Sequence, residues 1–256
     1  MSSVNLNYKK LGYKKPLIIL HGLFGSLDNW QTIANNLQDD FTIYLIDLRN
    51  HGRSTHTDEM SYSLMAEDII SFMELQDIPS CKIIGHSMGG KVVLELLKDF
   101  PYKIEKAIVI DISVKAYKGH HEEIFKGMYS LNLSTLSKRT EADNQLTSHI
   151  PDSTTRQFIL KSLDRKSDGS FEWKVNLNAL YNNYSNINAE IKFTESIDSE
   201  VLFLMGENSN YLNAQDEIEL KGIFPNATFL TIKGAGHWVH AEKPLETLNA
   251  IKHFFQ

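Results

Sequence analysis

Cysteine is almost absent: Cys81 is the single one in 256 residues, so no internal disulfide can form. The fold must be held by its core, and the chain suits a reducing compartment, which points to the cytoplasm. An excess of basic residues is missing too. Lysines and arginines number 26 against 32 aspartates and glutamates, a net charge of -6, and no basic run stands out. That balance argues against nucleic acid as a partner. Long apolar runs are lacking: stretches such as Leu17 to Leu20 and Val201 to Met205 fall far short of the roughly 20 residues that span a bilayer. The N-terminal MSSVNLNYKK carries no apolar core of a secretory signal, so a soluble protein without stable membrane insertion is expected. Internal repeats, low-complexity tracts and proline-rich linkers are also missing. Around His120 and His121 no cysteine or carboxylate pattern builds a metal site, and no metal or cofactor is expected.

What is present is a chain 42% apolar and 10% aromatic, long enough for one large α/β domain or two small ones, with one the simpler reading. Short apolar, β-branched runs recur at Leu17 to Leu20, Thr42 to Ile46, Lys82 to Ile84, Ala107 to Ile110, Val201 to Met205 and Thr228 to Ile232. Runs of this length between turn residues predict buried strands. Helical patterns over Asp28 to Leu37, Ser63 to Leu75, Gly89 to Asp99, Asn213 to Ile223 and Leu245 to Phe255 supply the crossovers, which makes a mostly parallel, doubly wound α/β sheet. Leu6 to Leu11 adds an N-terminal strand or hairpin. The alternation stops across residues 115–197, where helix-like patterns and one turn signal, Ser167-Asp168-Gly169, predict an inserted helical cap. The core domain is then 1–114 with 198–256. The insertion's many aromatics, among them Tyr117, Phe125, Phe158, Phe171, Trp173 and Tyr184, form either a small core of its own or part of an acyl pocket.

Gly85-His86-Ser87-Met88-Gly89 matches G-x-S-x-G, with a strand before it and a helix after it. In that context the serine sits on a tight, strained turn that lifts its hydroxyl clear, while the helix N-terminus faces the place where negative charge would develop. A serine alone is a poor nucleophile and needs a base, an acid and an oxyanion site.

The motifs HGLFGSLDNW (His21 to Trp30), DLRNHGRS (Asp47 to Ser54), GHSMGGK (Gly85 to Lys91), IDIS (Ile110 to Ser113) and GAGHWVHAEKP (Gly234 to Pro244) occur in an order that resembles the α/β-hydrolase superfamily nearly end to end. The resemblance is strongest to the YbfF-type esterases and the α/β-hydrolase domain-containing proteins near them, in which asparagine stands where most of the superfamily has the glycine corresponding to Asn50. It implies the α/β-hydrolase fold, with backbone N–H groups of Leu23 and Met88 as oxyanion donors and His237, between the last strand and the last helix, as base. His240 is a near rival expected to support the loop. His21 and His86 are expected to make structural hydrogen bonds, Asp47 and Arg49 to brace loops, and His120 and His121 to be solvated.

The acid is the open member. Many members read G-x-x-D after the strand Val201 to Met205, whereas this chain has Gly206-Glu207-Asn208-Ser209. Asp111 ends the strand after the nucleophile's, and neighbouring strands lie about 4.8 Å apart, so its carboxylate can approach the same histidine. YbfF-type relatives use an acid at that position. Asp111 is therefore favoured and Glu207 is the alternative. The expected activity is serine hydrolysis of small-molecule carboxylic esters or acyl thioesters through an acyl-enzyme. A carbon–carbon bond hydrolase or lyase on the same triad, and a non-catalytic receptor for a small ligand, stand behind it. Monomer and dimer are both open.

Overall fold

The computed structural model describes residues 3–256. The chain begins with β1 (Tyr8–Leu11) and β2 (Lys15–Leu20), passes a turn of 3-10 helix at Leu27–Trp30, and continues as α1 (Gln31–Leu37), β3 (Phe41–Ile46), α2 (Tyr62–Leu75), β4 (Cys81–His86), α3 (Met88–Asp99) and β5 (Ile104–Ile110). It then leaves the sheet through α4 (Glu122–Ser130), α5 (Arg139–Leu146), α6 (Ser153–Leu160), β6 (Leu163–Arg165), β7 (Phe171–Trp173), α7 (Leu177–Asn182) and α8 (Tyr184–Ile187). It returns as β8 (Val201–Gly206), α9 (Ala214–Ile223), β9 (Thr228–Ile232), α10 (Val239–Glu242) and α11 (Pro244–Phe255). Among the described residues no helix is long and apolar enough to cross a membrane.

The main sheet runs β1-β3-β2-β4-β5-β8-β9. All neighbours are parallel except β1, which pairs antiparallel with β3 from Tyr8 opposite Ile46 to Leu11 opposite Ile43. The N-terminal segment is thus an edge strand, and its partner is β3 rather than the next strand in sequence. The strands β3 and β8 are buried at every residue, because helices cover both faces of a parallel sheet and leave no solvent side for polar residues. Ile33, Leu37 and Ile251 from α1 and α11 fill one face, and Met65, Ile69, Val92 and Leu96 from α2 and α3 fill the other. From β2 the chain winds outward to β3, and from β4 it winds the other way to β5. The strand order therefore reverses between β2 and β4, opening the crevice in which such sheets place ligands.

The excursion between β5 and β8 departs from the purely helical expectation by a hairpin, β6 paired antiparallel with β7. Its turn is built by Asp168, whose carboxylate accepts from the Ser170 N–H and hydroxyl, and by Gly169 at φ 88°. The turn signal is visible in the sequence, but flanks of three residues each are too short for an alternating pattern to show. Nor do the aromatics make a separate core: Phe125 and Phe171 belong to the same apolar cluster as α2 and α3. Polar ties reinforce the contact, with Tyr62 Oη donating to Ile187 O at 2.5 Å and Asn176 N–H donating to Asn50 O at 2.9 Å. Asn50 holds φ 63°, a left-handed conformation that asparagine tolerates better than most side chains.

Beneath these loops Arg49 reaches Asp68 with both Nε and Nη2, at 2.6 and 2.8 Å, and the two side chains are nearly fully buried. Burial pushes the Asp68 carboxyl up even against its hydrogen bonds to the guanidinium. Removing one partner strands a buried charge. Asp68→Ala is expected to lower stability by about 3–5 kcal/mol, read as a lower urea midpoint.

Candidate active site

The parallel register places His86 of β4 opposite Ile110 of β5, so the next residues on the two strands, Ser87 and Asp111, emerge side by side at the sheet's C-terminal edge. The Ser87 N–H donates to Ile110 O at 2.9 Å, and the Asp111 N–H to Leu204 O of β8 at 2.9 Å. Both residues have positive φ, 51° for Ser87 and 53° for Asp111, and backbone strain of this kind gathers at functional sites. At the Ser87 elbow strand and helix are in van der Waals contact. A Cβ on Gly85 would lie 2.2 Å from Gly89 O, and one on Gly89 would lie 2.6 Å from His21 O. The flanking glycines are required by that approach.

Asp111 is fully buried and is met by three donors. His237 Nδ1 lies 2.6 Å from Oδ2, the Ser209 hydroxyl donates to the same oxygen, and Gly206 N–H donates to Oδ1 at 3.2 Å. Because a carboxylate only accepts, His237 carries a proton on Nδ1, and in the neutral ring Nε2 is then the nitrogen left bare. The imidazole is clamped from two further directions: the Tyr211 ring stacks on it at 3.8 Å with an angle of 13°, and His86 Nε2–H donates to His237 O at 2.8 Å. Glu207 takes a different part. It is exposed, and its carboxylate accepts from Gly234 N–H at 2.8 Å, bracing the loop that carries His237.

The proposed oxyanion donors flank the switch point. Leu20 of β2 pairs with Gly85 of β4, which brings the turn after β2 beside Ser87. That turn is closed by Gly25 N–H on Gly22 O at 3.0 Å and held by Phe24 N–H on His51 Nε2 at 3.2 Å, a pattern that does not use the Leu23 N–H. Lys91 N–H donates to Ser87 O at 3.0 Å as the first turn of α3, so Met88 N–H, ahead of it, has no intrahelical acceptor.

The other histidines sort by partner. His21 Nε2 accepts from Leu48 N–H at 3.0 Å. His240 stacks on Trp30 at 4.2 Å and lies against His86 at 4.7 Å, with burial pushing its imidazole down to about 3. Asp47 accepts from Leu27 N–H at 2.8 Å and Arg53 N–H at 3.0 Å, which fixes the loops after β2 and β3. His120 and His121 are not simply solvated. His120 Nε2 bonds to Tyr211 Oη at 2.6 Å, and His121 Nδ1 to Tyr184 Oη at 2.7 Å, where the start of the excursion meets the site.

Ser87 stands between two cavities. One is lined by Ser87, His237, Phe24, Phe158 and Trp238, and the other by Ser87, Met88, Lys91, Tyr117 and Tyr211; Leu23 and His121 border both. Three side chains here are ones sequence reasoning misses as site residues. Ser209 shows only as a missing aspartate, Tyr211 carries no signal, and Lys91 could have been noticed only as a cation four residues beyond Ser87, one turn into the helix.

Comparison with known proteins agrees with this architecture. A family model described as alpha/beta hydrolase fold matches residues 15–244. The chain is 38% identical over 240 residues to Esterase YbfF of Escherichia coli, covering 93% of this chain and 92% of the relative. It is 36% identical to sn-1-specific diacylglycerol lipase ABHD11 of Xenopus laevis, over 94% of this chain and 80% of that one. A solved structure of a marine microorganism esterase superposes with a TM-score of 0.96 at 42% identity, over 98% of this chain and all of the other.

Proposed function

The chain belongs to the α/β-hydrolase family and is of its esterase/lipase type, and from that premise we propose that it hydrolyses carboxylic esters or acyl thioesters through a covalent acyl-serine. The observation that carries the proposal is the bond from His237 Nδ1–H to the buried Asp111, with Ser87 and His237 lining one cavity. Asp111 holds the imidazole in the tautomer whose Nε2 can accept a proton. His237 takes the Ser87 proton as Oγ bonds to the substrate carbonyl, and the carbonyl oxygen becomes an oxyanion held by Leu23 and Met88 N–H. The intermediate then collapses: the bond to the leaving oxygen or sulfur breaks, and His237 returns the proton to it. Water attacks the acyl-serine with His237 again as base, releasing the acid and restoring Ser87.

The site has no need of a lowered serine pKa, since the base removes the proton during attack. A fluorophosphonate probe mimics the acyl donor and leaves a stable phosphonyl adduct. Incubated with the folded protein, it is expected to add to Ser87 stoichiometrically, as read by peptide mass spectrometry, and to add more slowly when excess 4-nitrophenyl butyrate is present from the start. Folded protein that carries no adduct on Ser87 would refute the proposal.

A further inference from the structure

Lys91 is a nearly fully buried cation, and among the described residues no carboxylate lies within ion-pair distance of its ammonium. Glu95, one turn on, is paired instead with Lys98 at 2.7 Å. Burying an unpaired ammonium is unfavourable unless something answers its charge. Its Nζ donates to Lys115 O at 2.7 Å and to Ala189 O, the strands of chain that leave and re-enter the sheet domain, and it lies over the Tyr117 ring at 5.1 Å. An ammonium has three N–H donors, so two carbonyls leave one unassigned. Lys91 also lines the cavity that contains Ser87 and Met88.

The two cavities differ in what they can hold. His237 lines the Phe158–Trp238 cavity and is not among the residues lining the Lys91 cavity. Under the serine mechanism proposed above, on which this inference rests, the leaving group must meet His237 to receive its proton. It therefore occupies the Phe158–Trp238 side, and the acyl group extends toward Lys91. The chamber is narrow, with a cavity volume of about 30 Å³, so only a short chain can extend into it. Its end wall is a cation with a free donor rather than an apolar surface.

We propose that the Lys91 chamber is an anion subsite for the acyl group, so that the preferred substrates are half-esters or half-thioesters of short dicarboxylic acids. The remote carboxylate accepts from Lys91 Nζ while the ester carbonyl sits at Ser87. Hydrolysis then breaks the acyl–oxygen or acyl–sulfur bond, adds water across it, and releases the dicarboxylate with the alcohol or thiol.

The test compares monoethyl glutarate with ethyl valerate, esters of equal chain length of which only the first ends in a carboxylate, by product titration. At about pH 7 the ratio of their kcat/KM values is expected at or above one, and Lys91→Met is expected to lower that ratio about tenfold to a hundredfold, the worth of one charge-assisted hydrogen bond. A ratio below one in the parent, or one that Lys91→Met leaves unchanged, overturns the inference and leaves Lys91 as a clamp on the excursion. A second measurement needs no variant. Burial and loss of hydration bring the Lys91 ammonium down to about 8, with exposed Glu190 opposing the shift, so its charge is present below that pH and lost above it. The other titratable groups facing the chamber are His120, His121, which burial holds neutral, and the hydroxyls of Tyr62, Tyr117 and Tyr211, which burial pushes up. The parent's ratio is therefore expected to fall as pH rises from about 7 to about 9, and a flat ratio counts against the inference. Should Ser87→Ala hydrolyse ethyl valerate as the parent does, the serine mechanism fails instead, an outcome distinct from a flat ratio.

Discussion

Ser87→Ala is expected to lower kcat for 4-nitrophenyl acetate by about 10⁴-fold or more while leaving the far-ultraviolet circular dichroism unchanged. The size follows from the role: without Oγ no acyl-enzyme forms, and what remains is the stabilisation supplied by backbone donors and substrate positioning. The proposed donors, the N–H groups of Leu23 and Met88, are expected to survive the substitution because alanine keeps the Cβ that the strained elbow already accommodates at φ 51°. Loss of activity is thus separated from loss of structure. Hydrolysis at the parental rate by the folded variant would show that the hydroxyl is not the nucleophile.

The second large effect concerns the carboxylate. Asp111→Asn is expected to reduce kcat/KM by about 10³- to 10⁴-fold, because an amide that points its nitrogen at His237 stabilises the tautomer with a bare Nδ1 and a protonated Nε2. The burial of Asp111 sharpens the expectation: one oxygen accepts from Gly206 N–H and the other from both His237 and the Ser209 hydroxyl, and an amide has an acceptor at only one of these two ends. Glu207→Gln is expected to stay within about threefold of the parent, since the glutamine carbonyl can still accept the Gly234 N–H at an exposed position. The two variants measured side by side on the same ester decide the acid. Activity lost in Glu207→Gln and kept in Asp111→Asn would assign it to Glu207.

Much of this site is legible from local pattern. Ser87 is marked by two glycines that a tight strand-to-helix turn demands, and the six apolar runs mark the parallel strands because burial on both faces removes polar residues from them. Asp111 is legible as the residue ending the strand next to the nucleophile's, while the preference for it over Glu207 comes from the resemblance to YbfF-type esterases rather than from local pattern. The rest depends on long-range geometry. Tyr211 reaches His237 only because β8 lies between β5 and β9, an order that no local pattern encodes. The β6–β7 hairpin escapes notice because each of its strands is only three residues long, and Lys91 because a lysine on the helix side that also carries Glu95 and Lys98 is ordinarily expected to reach solvent along its stem.

The convergence of Ser209 and His237 on one oxygen of Asp111 bears on where a carboxylate can sit in such a sheet. The ends of β5 and β8 are adjacent seats around a single imidazole, one holding a carboxylate and the other a hydroxyl that bonds to it. Exchanging acid and hydroxyl between the seats would leave the histidine, the nucleophile and the sheet where they are. The sheet thus offers two neighbouring strand ends from which a carboxylate can reach the same imidazole, and in this chain the carboxylate that does so is at the end of β5.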